Sequence, residues 1–273
     1  MGEGFIFDQP PYAALNVARE RVIERLIASL RKDCRLETAA DLGCGLGYFS
    51  AFLRRFGFRV IGVDGREENV DEAKRRFPDI EFHRMDAEDP RIREFGQFDL
   101  VLCIGLYYHL ENPFAAFRNC FAMTKQIAIV EGMCVPGKEA RLEVRDEGPT
   151  EDQGLHHVAL YPSENGLVKL LYRSGYPFVY RFRAMPEHPN YADSSLARQS
   201  RTIVVAARSE LASELLTPAA EPVTKDPWTR RNTPAALALY TRDAAIRFGR
   251  FLGKPWPEKQ KVLSRRWGRL FPS

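Results

Sequence analysis

The hydrophobic positions of this chain fall into two alternating rhythms: short apolar runs bounded by turn residues, and longer stretches whose apolar positions recur at helical spacing. Over Tyr12 to Arg31, Ala14, Leu15, Val17, Val22, Ile23, Leu26, Ile27 and Leu30 lie mostly on one side, which predicts an amphipathic helix. Ala39 to Leu42 predicts a strand. Tyr48 to Phe56 brings Phe49, Phe52, Leu53 and Phe56 to one face and predicts a helix that Gly57 ends. Phe58 to Val63 is the next apolar run. Glu67 to Phe77 predicts a charged helix stopped by Pro78, and Ile80 to Arg84 a third strand. Phe98 to Ile104 reads as a buried strand. Asn112 caps a helix starting around Pro113, and Gln126 to Glu131 follows as the fifth strand. This alternation of strand and helix is the mark of a parallel sheet with helices on both faces. Farther on, Ser163 or Asn165 caps a helix over Gly166 to Ser174, and Phe178 to Arg183 and Ser200 to Ala207 predict two more strands.

The rhythm breaks in four places. Met1 to Pro11 reads as a flexible or lid-like start. Met133 to Leu160 is rich in charge and glycine, and a long irregular insertion of this kind is commonly a binding loop or lid. Met185 to Arg198 is a second candidate loop. Residues 209–227, with Pro218, Pro222 and Pro227, read as a linker to a segment over 228–273. From Lys225 onward there are twelve Lys or Arg against three Asp or Glu, and Trp228, Trp256 and Trp267 are all the tryptophans of the chain. The chain as a whole is +4, so what precedes this tail is net acidic. A basic, aromatic tail predicts contact with an anionic surface, RNA or phospholipid, or else a helical appendage over Ala235 to Leu252 that packs its aromatics and leaves its charges in water.

Composition narrows the class. With 273 residues, 45% hydrophobic and 28% charged, the chain suits a soluble globular protein with a sizeable core, which excludes a disordered or fibrous chain. Cys34, Cys44, Cys103, Cys120 and Cys134 are scattered, with no C-x-x-C pair. There is no apparent signal peptide and no apolar run of transmembrane length. The expectation is a reduced, cytoplasmic protein without disulfides.

Candidate chemistry concentrates between Thr38 and Asp64. The pattern D-x-G-x-G-x-G runs from Asp41 to Gly47, after one strand and before a helix, and Asp64 ends the next strand. A parallel strand-helix-strand unit opens its crevice at the carboxyl ends of its strands, so Gly43, Gly45, Gly47 and Asp64 should face one ligand. The spacing differs from the dinucleotide fingerprint G-x-G-x-x-G. After the fourth strand comes Gly105-Leu106-Tyr107-Tyr108-His109, where His109 is of the residue type that serves as a general base near neutral pH. The preferred reading is a histidine that hydrogen-bonds backbone and fixes this loop. His156 and His157 stand among acidic residues at a spacing that fits no standard ligand set, so no metal is expected.

The Asp41–Gly47 pattern resembles motif I of the class I S-adenosylmethionine (SAM) dependent methyltransferases, and F-D-L-V-x-x-x-G-x-x-Y-H-L-x-x-P from Phe98 to Pro113 is a second match to that superfamily. The resemblance covers residues 36–208. It implies a Rossmann-like α/β domain over 1–208, with a seven-stranded, mostly parallel sheet in the order 3-2-1-4-5-7-6, its last strand antiparallel. It implies SAM as cofactor, held by Asp41, Gly43, Gly45, Gly47, Asp64, Met85, Asp86, Ala87, Ile104 and Gly105. Asp64 would accept from the ribose hydroxyls and Asp86 from the adenine amino group, with Met85 on the ring. Tyr107, Tyr108 and His109 would stand at the reaction face. The implied activity is methyl transfer to an oxygen or nitrogen of a small metabolite or a sugar- or lipid-linked intermediate. Two alternatives stay open: a transferase acting on tRNA, because the Y-H-L-x-x-P loop also resembles enzymes that modify a wobble uridine, and a SAM-binding scaffold without catalysis.

Overall fold

The structure is a computed structural model and describes residues 5–150, 152–191 and 200–223. The tail from Lys225, and the reading of it as an anion-binding surface, lie outside these residues, as does half of the candidate loop over Met185 to Arg198.

Helix α1, Pro10–Leu30, starts on prolines whose fixed φ suits a first turn and whose missing N–H costs nothing there. It buries Leu15, Arg19, Val22, Ile23, Leu26, Ile27 and Leu30 along one stripe, whereas Val17 is exposed. The first half of the domain then alternates: β1 Thr38–Leu42, α2 Tyr48–Arg55, β2 Arg59–Asp64, α3 Glu67–Arg76, β3 Glu81–Arg84, β4 Phe98–Ile104, α4 Pro113–Met123 and β5 Thr124–Cys134. The second half adds β6 Leu142–Asp146, β7 Val158–Pro162, α5 Glu164–Ser174, β8 Phe178–Phe182, β9 Ser200–Ala207 and β10 Leu216–Pro218. Asn112 caps α4 through Ala115 N–H, and Ser163, of the two candidates, caps α5 through Gly166 N–H.

The sheet runs β10-β8-β9-β5-β4-β1-β2-β3. Pairing is parallel from β5 to β3, and β9 lies antiparallel between β5 and β8. Within it stands the expected order 3-2-1-4-5-7-6. Alternate residues of the central strands serve two cores. Ala39, Leu100, Leu102, Ile127 and Ile129 face the core completed by α1, α2 and α3. Ala40, Leu42, Val101, Cys103, Ala128 and Val130 face the core completed by α4 and α5.

The structure corrects the reading of two segments. Residues 209–223 are not a bare linker: Leu216–Pro218 pairs with β8 as an eighth, edge strand, and Leu211, Leu216 and Ala219 are buried. Pro218 is compatible with a strand there because an edge has a side that needs no N–H donor. The insertion over 133–160 is also more regular than its composition indicates, for β6 and β7 pair antiparallel across it from Leu142↔Pro162 to Asp146↔Val158. None of the helices among the described residues is long and apolar enough to cross a membrane.

Candidate active site

The carboxyl ends of β1, β2 and β4, with the turn after β3, open into a cleft of about 230 Å³. The segment Phe7–Arg19 and the tip of the insertion, Asp152–His156, form its other walls. These walls are tied to each other: Tyr12 donates to Asp152 Oδ2 at 2.6 Å, and Arg66 Nη2 donates to the carbonyls of Gln153 (3.0 Å) and Gly154 (3.3 Å). The expected lid elements thus meet across one cleft.

Asp64 organises its floor. Oδ2 accepts from Gly45 N–H at 2.9 Å; Oδ1 accepts from Arg66 N–H at 2.9 Å and Asn69 Nδ2 at 3.1 Å. Burial pushes this carboxyl above its usual range, against the pull of the Arg66 and Gly45 N–H groups and of Asn69. A carboxylate offers about four acceptor positions, so the three bonds leave room for a ligand donor. Gly45 has φ +52°, and a Cβ built on it would meet nothing closer than the Phe7 ring at 3.8 Å: it would project into the cleft. Asp86 accepts from Glu88 N–H at 2.9 Å and faces His156 Nε2 at 3.3 Å, while Met85, Ala87, Ile104 and Gly105 line the same cavity.

Three expected site residues are placed elsewhere. Asp41 is on β1 next to Leu42, and neighbouring strand residues point to opposite faces. Leu42 lines the cleft; Asp41 lies buried beneath α2, accepting from Ser50 Oγ at 2.7 Å. Gly47 is the left-handed N-cap of α2, φ +85°, against the Phe82 and Phe77 rings, and shapes the loop from behind. Tyr107 is fully buried, its hydroxyl donating to the Met133 carbonyl at 3.0 Å, so it anchors the loop to β5 instead of facing a substrate.

Burial raises Asp41 to about 7, ahead of the opposing Ser50 bond. A folded pKa above the unfolded value means that the group's contribution is full below the ordinary carboxyl range and is lost as pH rises through 7. Asp41→Asn keeps the acceptor for Ser50 and removes the titration. Relative to wild type, the variant is expected to gain stability as pH rises from about 4 to 7 and to level off above that, the whole change being up to about 4 kcal/mol. A melting-temperature difference that does not change with pH would rule this out.

Tyr108 and His109 do line the cleft. His109 Nδ1 stands 2.8 and 2.9 Å from the two oxygens of Glu147, a residue of the insertion whose side chain is only 2% exposed. Glu147 also accepts from Gly154 N–H at 2.7 Å and from the Tyr161 hydroxyl at 3.0 Å. Burial pushes this carboxyl up, but the bonds from His109, Gly154 and Tyr161 outweigh it and hold it below its ordinary value. It is therefore an acceptor only at neutral pH, so His109 Nδ1 donates to it, and in the neutral form of the ring Nε2 carries the lone pair.

A second polar group lies beyond Gly105. Glu131, within β5 and fully buried, pairs with Arg19 Nη2 at 2.9 Å and Arg201 Nε at 3.4 Å, and accepts from the Tyr191 hydroxyl at 2.6 Å. Arg201 also donates to the Tyr108 hydroxyl through Nη2 at 2.6 Å. None of Glu147, Arg19, Glu131 and Arg201 stands in a recognised motif. Arg19 alone had a local signal, a cation inside the apolar stripe of an amphipathic helix. Among the described residues no three His, Cys, Asp or Glu gather as metal ligands.

Residues 40–130 match the family described as "Methyltransferase domain". This part of the chain belongs to the class I SAM-dependent methyltransferase superfamily. The chain is 28% identical over 119 residues to a ubiquinone biosynthesis O-methyltransferase of Bordetella avium, covering 42% of this chain and 48% of that one. Its counterpart in Shewanella pealeana is 33% identical over 89 residues, 31% and 38% of the two chains. The chain thus spans about half, or less, of the curated relatives it matches. The crystal structure of the N-terminal domain of EvdMO1 with S-adenosylhomocysteine (SAH) bound shares the fold, with a TM-score of 0.58 and 20% identity over 70% of this chain and 80% of that one.

SAM is the cofactor of the superfamily, and the cleft of this methyltransferase domain fits it. Asp64 has acceptor capacity for ribose hydroxyls, the Gly45 backbone leaves the close approach open, and Met85 and Ile104 supply an apolar wall beside a second acceptor, Asp86.

Proposed function

We propose that the chain transfers a methyl group from SAM to a hydroxyl oxygen of a small acceptor, with His109 as general base and Glu147 as the residue that positions it. The observation that carries this reading is the His109–Glu147 pair in the cleft wall, 2.8 Å apart, which fixes the imidazole with its basic nitrogen free. A nitrogen acceptor that is already a neutral nucleophile has little need of such a base; a hydroxyl does. The relatives named for O-methylation in ubiquinone biosynthesis support oxygen as the acceptor atom.

Bound in the cleft, the cofactor supplies a methyl group on a positively charged sulfur, already activated for transfer. Asp64 and Asp86 would hold its hydroxyl and amino donors, and Met85 its ring. His109 Nε2 takes the proton of the acceptor hydroxyl, and the ionised Glu147 stabilises the imidazolium that results. Tyr12, Phe7 and the insertion tip cover the site and exclude water. Proximity and alignment supply the rest of the rate.

The test is incubation of the protein with methyl-labelled SAM and cell extract, followed by sorting of the label into RNA, lipid, glycan and small-molecule fractions. The small-molecule fraction is expected to carry it, on oxygen. Label in RNA would favour the tRNA reading, and tight SAM binding without label in any fraction would favour a scaffold; either result overturns the proposal.

A further inference from the structure

The Arg19–Glu131–Arg201 cluster does not balance. Two guanidinium groups, each permanently charged, share one carboxylate. All three side chains are at least nine-tenths buried: Arg19 and Arg201 are 6% exposed and Glu131 is 0%. The phenols cannot make up the difference, because burial holds Tyr108 and Tyr191 above their ordinary range and keeps them neutral. Asp152, the carboxylate nearest in the cleft wall to Tyr12, is occupied by the Tyr12 hydroxyl and pairs with neither arginine among the described contacts. One net positive charge is left at this end of the cleft. Burying an unpaired charge costs several kcal/mol, so a missing anion is the simplest completion of the group.

Both arginines line the cavity; the buried Arg19 Nε has no hydrogen-bond partner, and Arg201 Nε faces only Glu131, at 3.4 Å. A Cβ on Gly105 would stand 3.8 Å from Arg19 Nη2 and 3.9 Å from the Tyr108 hydroxyl, so that glycine leaves the approach to the cluster open. The location says whose anion it is. Arg201 is bound to Tyr108, whose ring centre is 4.1 Å from that of His109. Arg201 is therefore linked to the base through Tyr108.

We propose that Arg201, with Arg19, binds a carboxylate group of the methyl acceptor, so that the acceptor is a hydroxylated organic acid. This rests on the methyltransferase reading above. A planar carboxylate suits a guanidinium fork, and the pair would fix the acceptor at one end while its hydroxyl meets His109 at the other.

The test measures, by calorimetry on the SAH-saturated full chain, the affinities of benzoate and 4-hydroxybenzoate against those of the matched amides, benzamide and 4-hydroxybenzamide. Wild type is expected to prefer the acid by about tenfold or more, and R201Q to lose that preference. R201Q leaves Arg19 and Glu131 as a balanced pair, so its ligand-free melting temperature should not fall. R201K keeps the charge without the fork and should lie between. Equal binding of acid and amide by wild type overturns the proposal, as does a preference that survives in R201Q. If R201Q does not fold, an R201K ratio within about twofold of wild type overturns it. The cofactor also carries a carboxylate, and SAH against 5′-methylthioadenosine, which lacks it, separates the two sources. Both should bind R201Q as they bind wild type; a loss confined to SAH assigns the charge to the cofactor and overturns the proposal. If wild type fails to bind SAH, the methyltransferase reading itself fails, and the acid-to-amide ratio of the free protein still decides the role of the arginines.

Discussion

His109→Ala is expected to lower turnover by about 10²–10⁴-fold with SAH affinity near wild type, and the acid limb of its pH–rate profile should disappear. The imidazole lies in the cleft wall with Nδ1 engaged by Glu147, so its removal takes away the proton acceptor and leaves the Asp64 and Asp86 side untouched. Glu147→Gln has nearly the same shape but no charge to stabilise the protonated ring, and should lose about 10–10²-fold. Its effect on stability has a defined sign. The Glu147 carboxyl titrates below its ordinary value in the folded state. Its contribution is therefore complete above the ordinary carboxyl range and fades as pH falls through its lowered pKa. The stability difference between wild type and Glu147→Gln should shrink on acidification below about pH 4. If His109→Ala instead keeps full turnover and only melts at a lower temperature, the histidine is a loop-fixing residue and the base mechanism is wrong.

Asp64→Ala is expected to weaken SAH binding by about 1.5–3 kcal/mol or somewhat more, roughly 10–200-fold. The charged acceptor for ribose hydroxyls is lost, and in addition Gly45 N–H, Arg66 N–H and Asn69 Nδ2 lose the acceptor they share. The glycine loop is then no longer held in the shape that admits a ligand backbone. Asp64→Asn is expected to do little better, since its amide nitrogen would face either the Gly45 or the Arg66 donor. Isothermal titration with SAH, beside ligand-free melting curves, separates lost contacts from lost folding. Unchanged SAH affinity in a folded Asp64→Ala protein would remove Asp64 from the cofactor site.

Periodicity and turn chemistry carried much of the fold. The runs around Ala39–Leu42, Phe58–Val63, Phe98–Ile104 and Gln126–Glu131 became parallel strands because each is bounded by local signals that neighbouring elements do not override. Glycine spacing and an acid at the next strand end located one side of the cleft for the same reason: a strand-helix-strand unit fixes its own crevice. The single-residue offsets were less legible. Asp41 belongs to the motif but points under α2, since a strand residue's face depends on which side of the sheet its ligand takes. Tyr107 and Tyr108 are adjacent and equally aromatic, yet only the second lines the cleft.

By itself, then, the sequence determined the α/β alternation, the core strand order through its family resemblance, the glycine loop, Asp64, Asp86 and the candidacy of His109. Tertiary structure alone decided what His109 touches. Its partner Glu147 lies 38 residues away on a segment whose composition resembles a loop, and no local rule pairs the two. The same holds for Arg19, Glu131 and Arg201, brought from α1, β5 and β9 to one buried point. Local interactions between residues a few positions apart write their geometry into the sequence as spacing; a contact between distant segments is created only when the sheet order and the packing of α1 and the insertion bring those segments together.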